Sequence, residues 1–144
     1  MTRITTPTAT RGRAPSHSSP DMTYAPGAQT AHALGWFSIA LGLVEFLAPD
    51  AFGDAVGVRR PGLIRLLGVR EIVTGVGILT SDRPVTWMWG RVAGDALDLA
   101  VLGEAIVDGP DPERAAIAAA AVAGVMALDA MTASEMSVAA SLEG

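Results

Sequence analysis

Hydrophobic and polar residues are separated along this chain into whole segments. A polar stretch rich in Thr, Ser, Pro and Arg covers residues 1 to about 27, and four apolar segments follow it. Each segment has about 20 residues or slightly more, the length that an α-helix needs to cross the hydrocarbon core of a membrane. The four segments cover approximately residues 28–48, 61–80, 84–107 and 112–134.

The segment boundaries contain the residues that typically begin helices. Pro61, Pro84 and Pro112 each stand where a first helical turn is expected, a position at which the missing N–H of proline has no cost. Asp82 and Asp111 precede two of these segments and are predicted to act as N-caps. The connecting loops are short, which favours antiparallel neighbouring helices.

These observations predict an all-α fold, an up-and-down four-helix transmembrane bundle with a disordered N-terminal tail. The predicted organisation is a polar tail at 1–27, a membrane domain at 28–134 and a short C-terminal tail at 135–144. The N-terminal tail is expected to be disordered because it has too few apolar residues to bury.

A soluble Ala-rich bundle is the alternative, because small residues allow close helix packing in both kinds of protein. The segment 115–128 argues against it, since this segment is apolar on every face, whereas a surface helix of a soluble protein has a polar face. Small residues also recur four positions apart, at spacings expected for helix–helix contacts. These runs are Ser38 with Gly42, Gly90 with Gly94, and Ala116 with Ala120 and Gly124.

The composition agrees with a membrane protein and excludes several functions. Half of the residues are hydrophobic and 17% are charged, against about 25% charged residues in typical soluble domains. The absence of Cys excludes disulfides and thiolate chemistry, and two His are too few for a histidine metal site. A net charge of −5 without a basic cluster argues against nucleic acid as a partner. We expect no cofactor and no metal, and membrane lipid as the surroundings.

The arginines near the segment ends indicate an orientation. The tail arginines and Arg83 lie on one predicted side of the membrane, and Arg59, Arg60 and Arg114 lie on the other. The slight excess on the first side favours cytoplasmic termini, so the predicted location is the inner cell membrane with several crossings. A cleaved signal peptide is disfavoured, because the first apolar segment contains Glu45 and ends in a poor cleavage site.

Charged residues lie deep within the apolar segments, where each costs about 2.5–3.5 kcal/mol at the centre of a membrane helix. That cost predicts burial against partner helices rather than exposure to lipid. Arg91, Asp95 and Asp98, at spacings of four and three residues, share one face of their helix. The predicted intramembrane polar network consists of Glu45, Arg70, Glu71, Arg91, Asp95, Asp98 and Asp129.

Helix geometry and charge add detail to this network. Arg70 and Glu71 diverge by about 100° around their helix, so they are expected to face different neighbours. Glu104 points away from the Arg91 face and lies close enough to the helix end to reach water. Because two arginines cannot neutralise five carboxylates, either some carboxylates are protonated or water reaches the network.

Most of these charges lie within three ordered motifs, residues 34–45 (LGWFSIALGLVE), 68–79 (GVREIVTGVGIL) and 91–99 (RVAGDALDL). Together the motifs resemble a family of small bacterial four-helix integral membrane proteins of unknown function. In some relatives this module is fused to a polyketide cyclase/dehydrase-like (START-fold) domain. The chain ends at Gly144, so no such domain is expected here and no cyclase role is transferred. The resemblance implies that the network residues other than Asp129 belong to the family pattern.

Three hypotheses about function remain open. In the first, the chain is a non-enzymatic membrane module that packs against itself or a partner protein, with the charges as its internal framework. In the second, the surplus of acids forms a minimal pathway for protons or ions. In the third, the chain is a membrane-bound enzyme for a lipid-like substrate, favoured only by the pair Asp95 and Asp98. We assign no catalytic residue, because acids one helical turn apart also occur in structural networks.

Overall fold

The computed structural model of the chain describes residues 27–142, and within this range it contains five α-helices and no strands. The predicted all-α fold is therefore confirmed, whereas the predicted number of helices is not. The predicted tail lies outside the described residues except for Gly27. The helices are α1 (Ala28–Leu47), α2 (Pro49–Val56), α3 (Pro61–Thr80), α4 (Pro84–Asp108) and α5 (Pro112–Leu142).

The beginnings of the helices follow proline more closely than aspartate. Three predicted prolines are each the first residue of a helix, α3, α4 and α5. Asp111 accepts a hydrogen bond from the backbone N–H of Arg114 at 3.1 Å, as its predicted N-cap role requires. The prediction for Asp82 is wrong, because α4 begins after Arg83 and its N-terminus has no side-chain cap. The Ser81 hydroxyl instead accepts from the Arg83 N–H at 3.0 Å.

The fifth helix, α2, is short and lies where the sequence predicts only a loop. Pro49 ends α1 but also begins α2, because proline fits the first turn of a helix. Phe52 and Val56 in α2 pack against a buried apolar cluster that includes Ile64 and Leu102. This tertiary packing explains a helix of eight residues, which is too short to be stable alone in water.

Helix α5 continues to Leu142, beyond Ser134, where the apolar pattern predicted its end. Polar residues end the apolar pattern without ending the helix. The hydroxyl groups of Ser134, Ser137 and Ser141 each donate a hydrogen bond to the carbonyl four residues earlier, at 2.6–2.9 Å. The region predicted as a C-terminal tail is therefore largely helical, and these serines satisfy their hydroxyls on the helix itself.

The four long helices alternate in direction around a common interior. Contacts between α1 and α3 run in opposite senses, since Gly42 meets Gly68 while Gly35 meets Gly75. Likewise α3 runs against α4, and α4 against α5, with Arg91 near Asp129. The most extensive contacts join α1 to α3 and α4 to α5.

The interior consists of two apolar clusters with a polar layer between them. One cluster lies at the end of the bundle where α1 begins, and it contains Ala31, Leu34, Ile78, Met88, Ala133 and Met136. The other lies at the opposite end and contains Val58, Ile64, Leu102, Ala105 and Ala115. The buried charged residues fall between these two sets on α1, α3, α4 and α5.

Two of the helices in the described range, α1 and α5, are long and apolar enough to cross a membrane by length and composition. Helices α3 and α4 have the length but contain more charged residues than such a span usually has. Large apolar side chains are nevertheless exposed on all four long helices.

Candidate functional site

Arg91 is the centre of the polar layer and joins four helices. Its Nε donates to Asp129 Oδ2 of α5 at 2.7 Å. Its Nη1 donates to the Ser38 hydroxyl of α1 and lies 3.3 Å from Glu71 Oε2 of α3. The Phe37 ring lies against the same guanidinium, with 5.9 Å between Cζ and the ring centroid, a distance that suits a cation–π contact.

Arg70 forms a second set of ion pairs beside the first. Its Nη2 donates to Asp98 Oδ2 at 2.8 Å and to Glu71 Oε1 at 2.6 Å, and its Nη1 donates to the Gly94 carbonyl at 2.7 Å. Arg70 and Glu71 do reach different helices, as their divergence predicts. They also pair with each other, because the long arginine side chain spans the angle between two adjacent positions.

The position of Arg70 depends on the glycine opposite it. A Cβ atom at Gly94 would lie 2.8 Å from Arg70 Cζ, which is closer than real Cβ contacts. Any larger residue at this position would therefore push the guanidinium away from both the Gly94 carbonyl and Asp98.

Glu71 lies between the two arginines and has both carboxylate oxygens engaged. Oε1 accepts from Arg70, and Oε2 accepts from the Ser38 hydroxyl at 2.6 Å and from Arg91. Forked guanidinium groups allow two arginines to share one acid in this way. Glu71 is therefore the residue that connects the two sets of ion pairs.

Glu45 and Asp95 differ from the other acids of the layer. Both are buried, yet neither forms an ion pair within residues 27–142. Glu45 forms no hydrogen bond there either, whereas Asp95 shares a hydrogen bond with Asp129. Asp95 also faces the Asp129 carboxyl group, so that two acids lie side by side and repel each other when both are ionised. Burying a charge without a partner is costly, so the unpartnered oxygens of Glu45 and Asp98 are the ones that remain able to accept a ligand.

A cavity of about 240 Å³ lies beside these acids. Its polar wall contains Glu45, Glu71, Arg91, Asp95 and Asp98. The rest of the wall is apolar and comes from all five helices and the loop after α2. The apolar lining residues are Phe37, Leu41, Phe52, Val56, Val58, Ile64, Leu67, Val101, Leu102, Ala118, Ala121, Val122 and Val125.

Three acids of the layer also have a spacing that would suit a metal ion. One carboxylate oxygen from each of Glu71, Asp95 and Asp98 lies within 4.8 Å of the others. Glu71 is already saturated by two guanidinium groups and a hydroxyl. A metal ion would have to displace those donors and approach two positive charges, so the donor set does not favour a metal.

The remaining charged pairs lie at the surface, away from the cavity. Glu104 is exposed, as its helix position predicts, and accepts hydrogen bonds from the Arg60 guanidinium. The hydrogen bond and the negative charge of Glu104 raise the pKa of Arg60, which keeps this pair ionised. Arg65, which the sequence places near the start of its helix, is also exposed.

The structure brings all seven predicted network residues into one layer, but sequence analysis missed some of its members. Ser38 was recognised only as a small packing residue, although its hydroxyl contacts both Glu71 and Arg91. The Gly94 carbonyl was also missed, because backbone acceptors give no signal in a sequence. The predicted packing run of Ala116, Ala120 and Gly124 is exposed, and a Cβ at Gly124 would have no neighbour within 4 Å.

Comparison of the chain with family models, with curated proteins and with solved structures finds no match in any of the three.

Proposed function

We propose that this chain is a multi-pass protein of the inner cell membrane, a non-enzymatic module whose Arg–carboxylate layer is its internal framework. The observation that supports the proposal is the distribution of charge and apolar surface, which is the reverse of that in a soluble bundle. Soluble proteins rarely bury arginine and aspartate while exposing large contiguous apolar surfaces.

The contrast between interior and surface is large. Arg91 is 2% exposed and Asp129 is fully buried, whereas Leu66 and Ile117 are 65% and 66% exposed. Lipid tails solvate such exposed side chains without cost, and the buried ions meet their partners inside the bundle. The resemblance of three motifs to small bacterial membrane proteins agrees with this proposal.

Extraction of membranes with alkaline carbonate tests the location. We expect the full-length chain to remain in the membrane pellet and to be released only by detergent, because several helices face lipid. Release into the carbonate supernatant would contradict the membrane proposal. It would then favour a soluble bundle that covers its apolar surface with a partner.

The orientation is tested separately with reporters at the two ends. Four crossings by α1, α3, α4 and α5 place both termini on one side, and the arginine distribution favours the cytoplasm. We expect a fluorescent reporter to be active, and a periplasmic phosphatase reporter inactive, at either terminus. Opposite results at the two ends would require an odd number of crossings.

A pathway for protons or ions is the second candidate function. Five carboxyl groups and two guanidinium groups lie in the polar layer, and Glu45 and Asp95 have no ionic partner within the described chain. Reconstituted proteoliposomes test this candidate through flux driven by a pH gradient. Flux that is lost in the double variant Asp95→Asn with Asp98→Asn would support it, and flux equal to that of empty liposomes would contradict it.

A further inference from the structure

The cavity beside the polar layer has one polar wall and one apolar wall, and the polar wall contains two carboxylate oxygens without a partner. Glu45 Oε2 and Asp98 Oδ1 are buried, accept no hydrogen bond within residues 27–142, and belong to residues that line this cavity. The framework stabilises the bundle through Arg70 and Arg91 and does not require Glu45. These features suit a ligand with a cationic donor group at one end and an apolar body at the other.

We propose that the cavity binds a primary amine with an apolar body, its ammonium group against Glu45 and Asp98. A primary ammonium group has three N–H donors, and Glu45 Oε2 and Asp98 Oδ1 are acceptor oxygens of the cavity wall that have no partner within residues 27–142. The surplus of acids over arginines in the layer favours a cation over an anion or a neutral ligand. Asp98 contributes through its second oxygen, because its first already accepts from Arg70 at 2.8 Å.

The apolar wall determines the rest of the ligand. A cavity of about 150 Å³ lined by apolar side chains can bind benzene, so about 240 Å³ is sufficient for an aryl ring or a short branched alkyl group with its amine. Phe37, Leu41 and Val122 line this part of the cavity without polar atoms in their side chains. The ligand class is therefore an arylalkyl or alkyl primary amine, and its neutral analogues lack the group that the acids recognise.

The cavity also has a route to the surface. Phe37 of α1 and Ala121 of α5 both line it and are both exposed, so it opens between these two helices. Helices α1 and α5 contact each other much less than α1 contacts α3. An amine with an apolar body can enter there, whereas a phospholipid headgroup would bring its phosphate beside four carboxyl groups.

Isothermal titration of the detergent-solubilised full chain tests the proposal, in a phosphate buffer that contains no amine. We expect benzylamine to bind at one saturable site per chain and benzyl alcohol to bind at least about tenfold more weakly, because a charge-assisted hydrogen bond is lost. Equal affinity for the two compounds would overturn the proposal. So would the absence of saturable benzylamine binding, or stoichiometric binding of magnesium that excludes benzylamine.

Variants assign the site to particular residues. Glu45→Gln removes a carboxyl group without breaking any ion pair of the framework, and we expect it to weaken benzylamine binding by about tenfold. The matched control Glu104→Gln changes an exposed carboxylate outside the cavity and should leave the affinity within about twofold. Unchanged affinity in Glu45→Gln would overturn the assignment.

A variant of the apolar wall separates a loss of amine binding from a loss of folding. Ala118→Leu adds volume to the apolar wall and leaves every charge in place. We expect it to reduce benzylamine binding while its circular dichroism spectrum matches that of the parent chain. Full binding in this well-folded variant would mean that the amine binds elsewhere.

Discussion

Single side chains of the polar layer have very different numbers of partners. Arg91 contacts α1, α3 and α5 from its place on α4, and Glu71 is bound by both arginines. Glu45 is equally buried and has no partner within the described residues. Removing a buried residue that has charged partners leaves those partners unpaired, so the cost of a substitution depends on what remains.

We predict that Arg91→Ala lowers the free energy of unfolding by about 3–5 kcal/mol, because Asp129 remains buried without a cation and Glu71 loses one of its two. Thermal unfolding in detergent, followed by circular dichroism, measures the loss. Arg59→Ala is the matched control, since Arg59 is exposed and its nearest acid, Asp54, is 3.9 Å away. Similar melting temperatures for both variants would exclude a framework role for Arg91.

Gly94→Ala is predicted to destabilise the protein by about 1–3 kcal/mol, because the added methyl group overpacks the Arg70 guanidinium. Gly90→Ala is a strict control on the same helix, since a Cβ there has no neighbour within 4 Å. That control is expected to be neutral or to stabilise α4 by up to about 1 kcal/mol. Melting temperatures of the two variants in one detergent decide the comparison, and an equal shift would contradict the close approach.

Helices associate in this bundle through small residues and through polar contacts. At the contact of α1 with α3, Gly42 and Gly68 allow the two backbones to approach closely. At the contact of α4 with α5, the Arg91–Asp129 pair is buried and Trp89 donates to the Ser137 hydroxyl at 3.2 Å. The contact of α1 with α3 depends on close approach of the two backbones, and the contact of α4 with α5 depends on polar side-chain pairs. The two contacts are therefore sensitive to different substitutions.

We predict that Gly68→Ala weakens the association of α1 with α3 and destabilises the protein at least as much as Gly94→Ala does. A Cβ at Gly68 would lie 2.7 Å from the Gly42 carbonyl oxygen, and backbone cannot move aside as a side chain can. Gly62→Ala on the same helix meets nothing within 4 Å. Equal melting temperatures for Gly68→Ala and Gly62→Ala in the same detergent would contradict the close approach of α1 and α3.

At the scale of the molecule, residues 27–142 form a polar layer between two apolar clusters, and large apolar side chains are exposed on the outer surface of the long helices. Under the proposed membrane location, the outer surface faces lipid and the polar layer is shielded from it by the helices. Carboxyl groups outnumber guanidinium groups in that layer, and the proposed amine site lies among the carboxyl groups that line the cavity. This arrangement accounts for a stable interior and an available cation site in one small chain.

We predict that Leu128→Asp reduces membrane insertion, because Leu128 is exposed near the middle of α5 and Asp at a helix centre costs about 2.5–3.5 kcal/mol on insertion scales. The carbonate-resistant fraction of the expressed chain measures the effect. Val138→Asp, on the same helix but nearer its end, is expected to retain most of its insertion. Equal fractions for the parent chain and both variants would argue against lipid around α5.

The sequence by itself determined the positions of the four long helices and the set of buried charged residues. Proline at the first turn and the length of each apolar segment are local features, and helix formation depends mainly on contacts within four residues. The charged residues within the apolar segments were identifiable for the same reason, since the hydropathy of a segment depends only on residues that are neighbours in the sequence. Helix α2 and the end of α5 were not identifiable, because tertiary packing overrides the local pattern there, through Phe52 in α2 and Met136 in α5.

Only the tertiary structure decided which charged residues are paired. The contacts of Arg91 with Ser38 and Asp129 join residues 53 and 38 positions apart, and no local pattern encodes that distance. Among the small-residue runs, Ser38 with Gly42 meets a neighbouring helix while Gly124 does not. The unpaired state of Glu45 likewise depends on where five helices leave a cavity, which is a property of their packing and not of any segment.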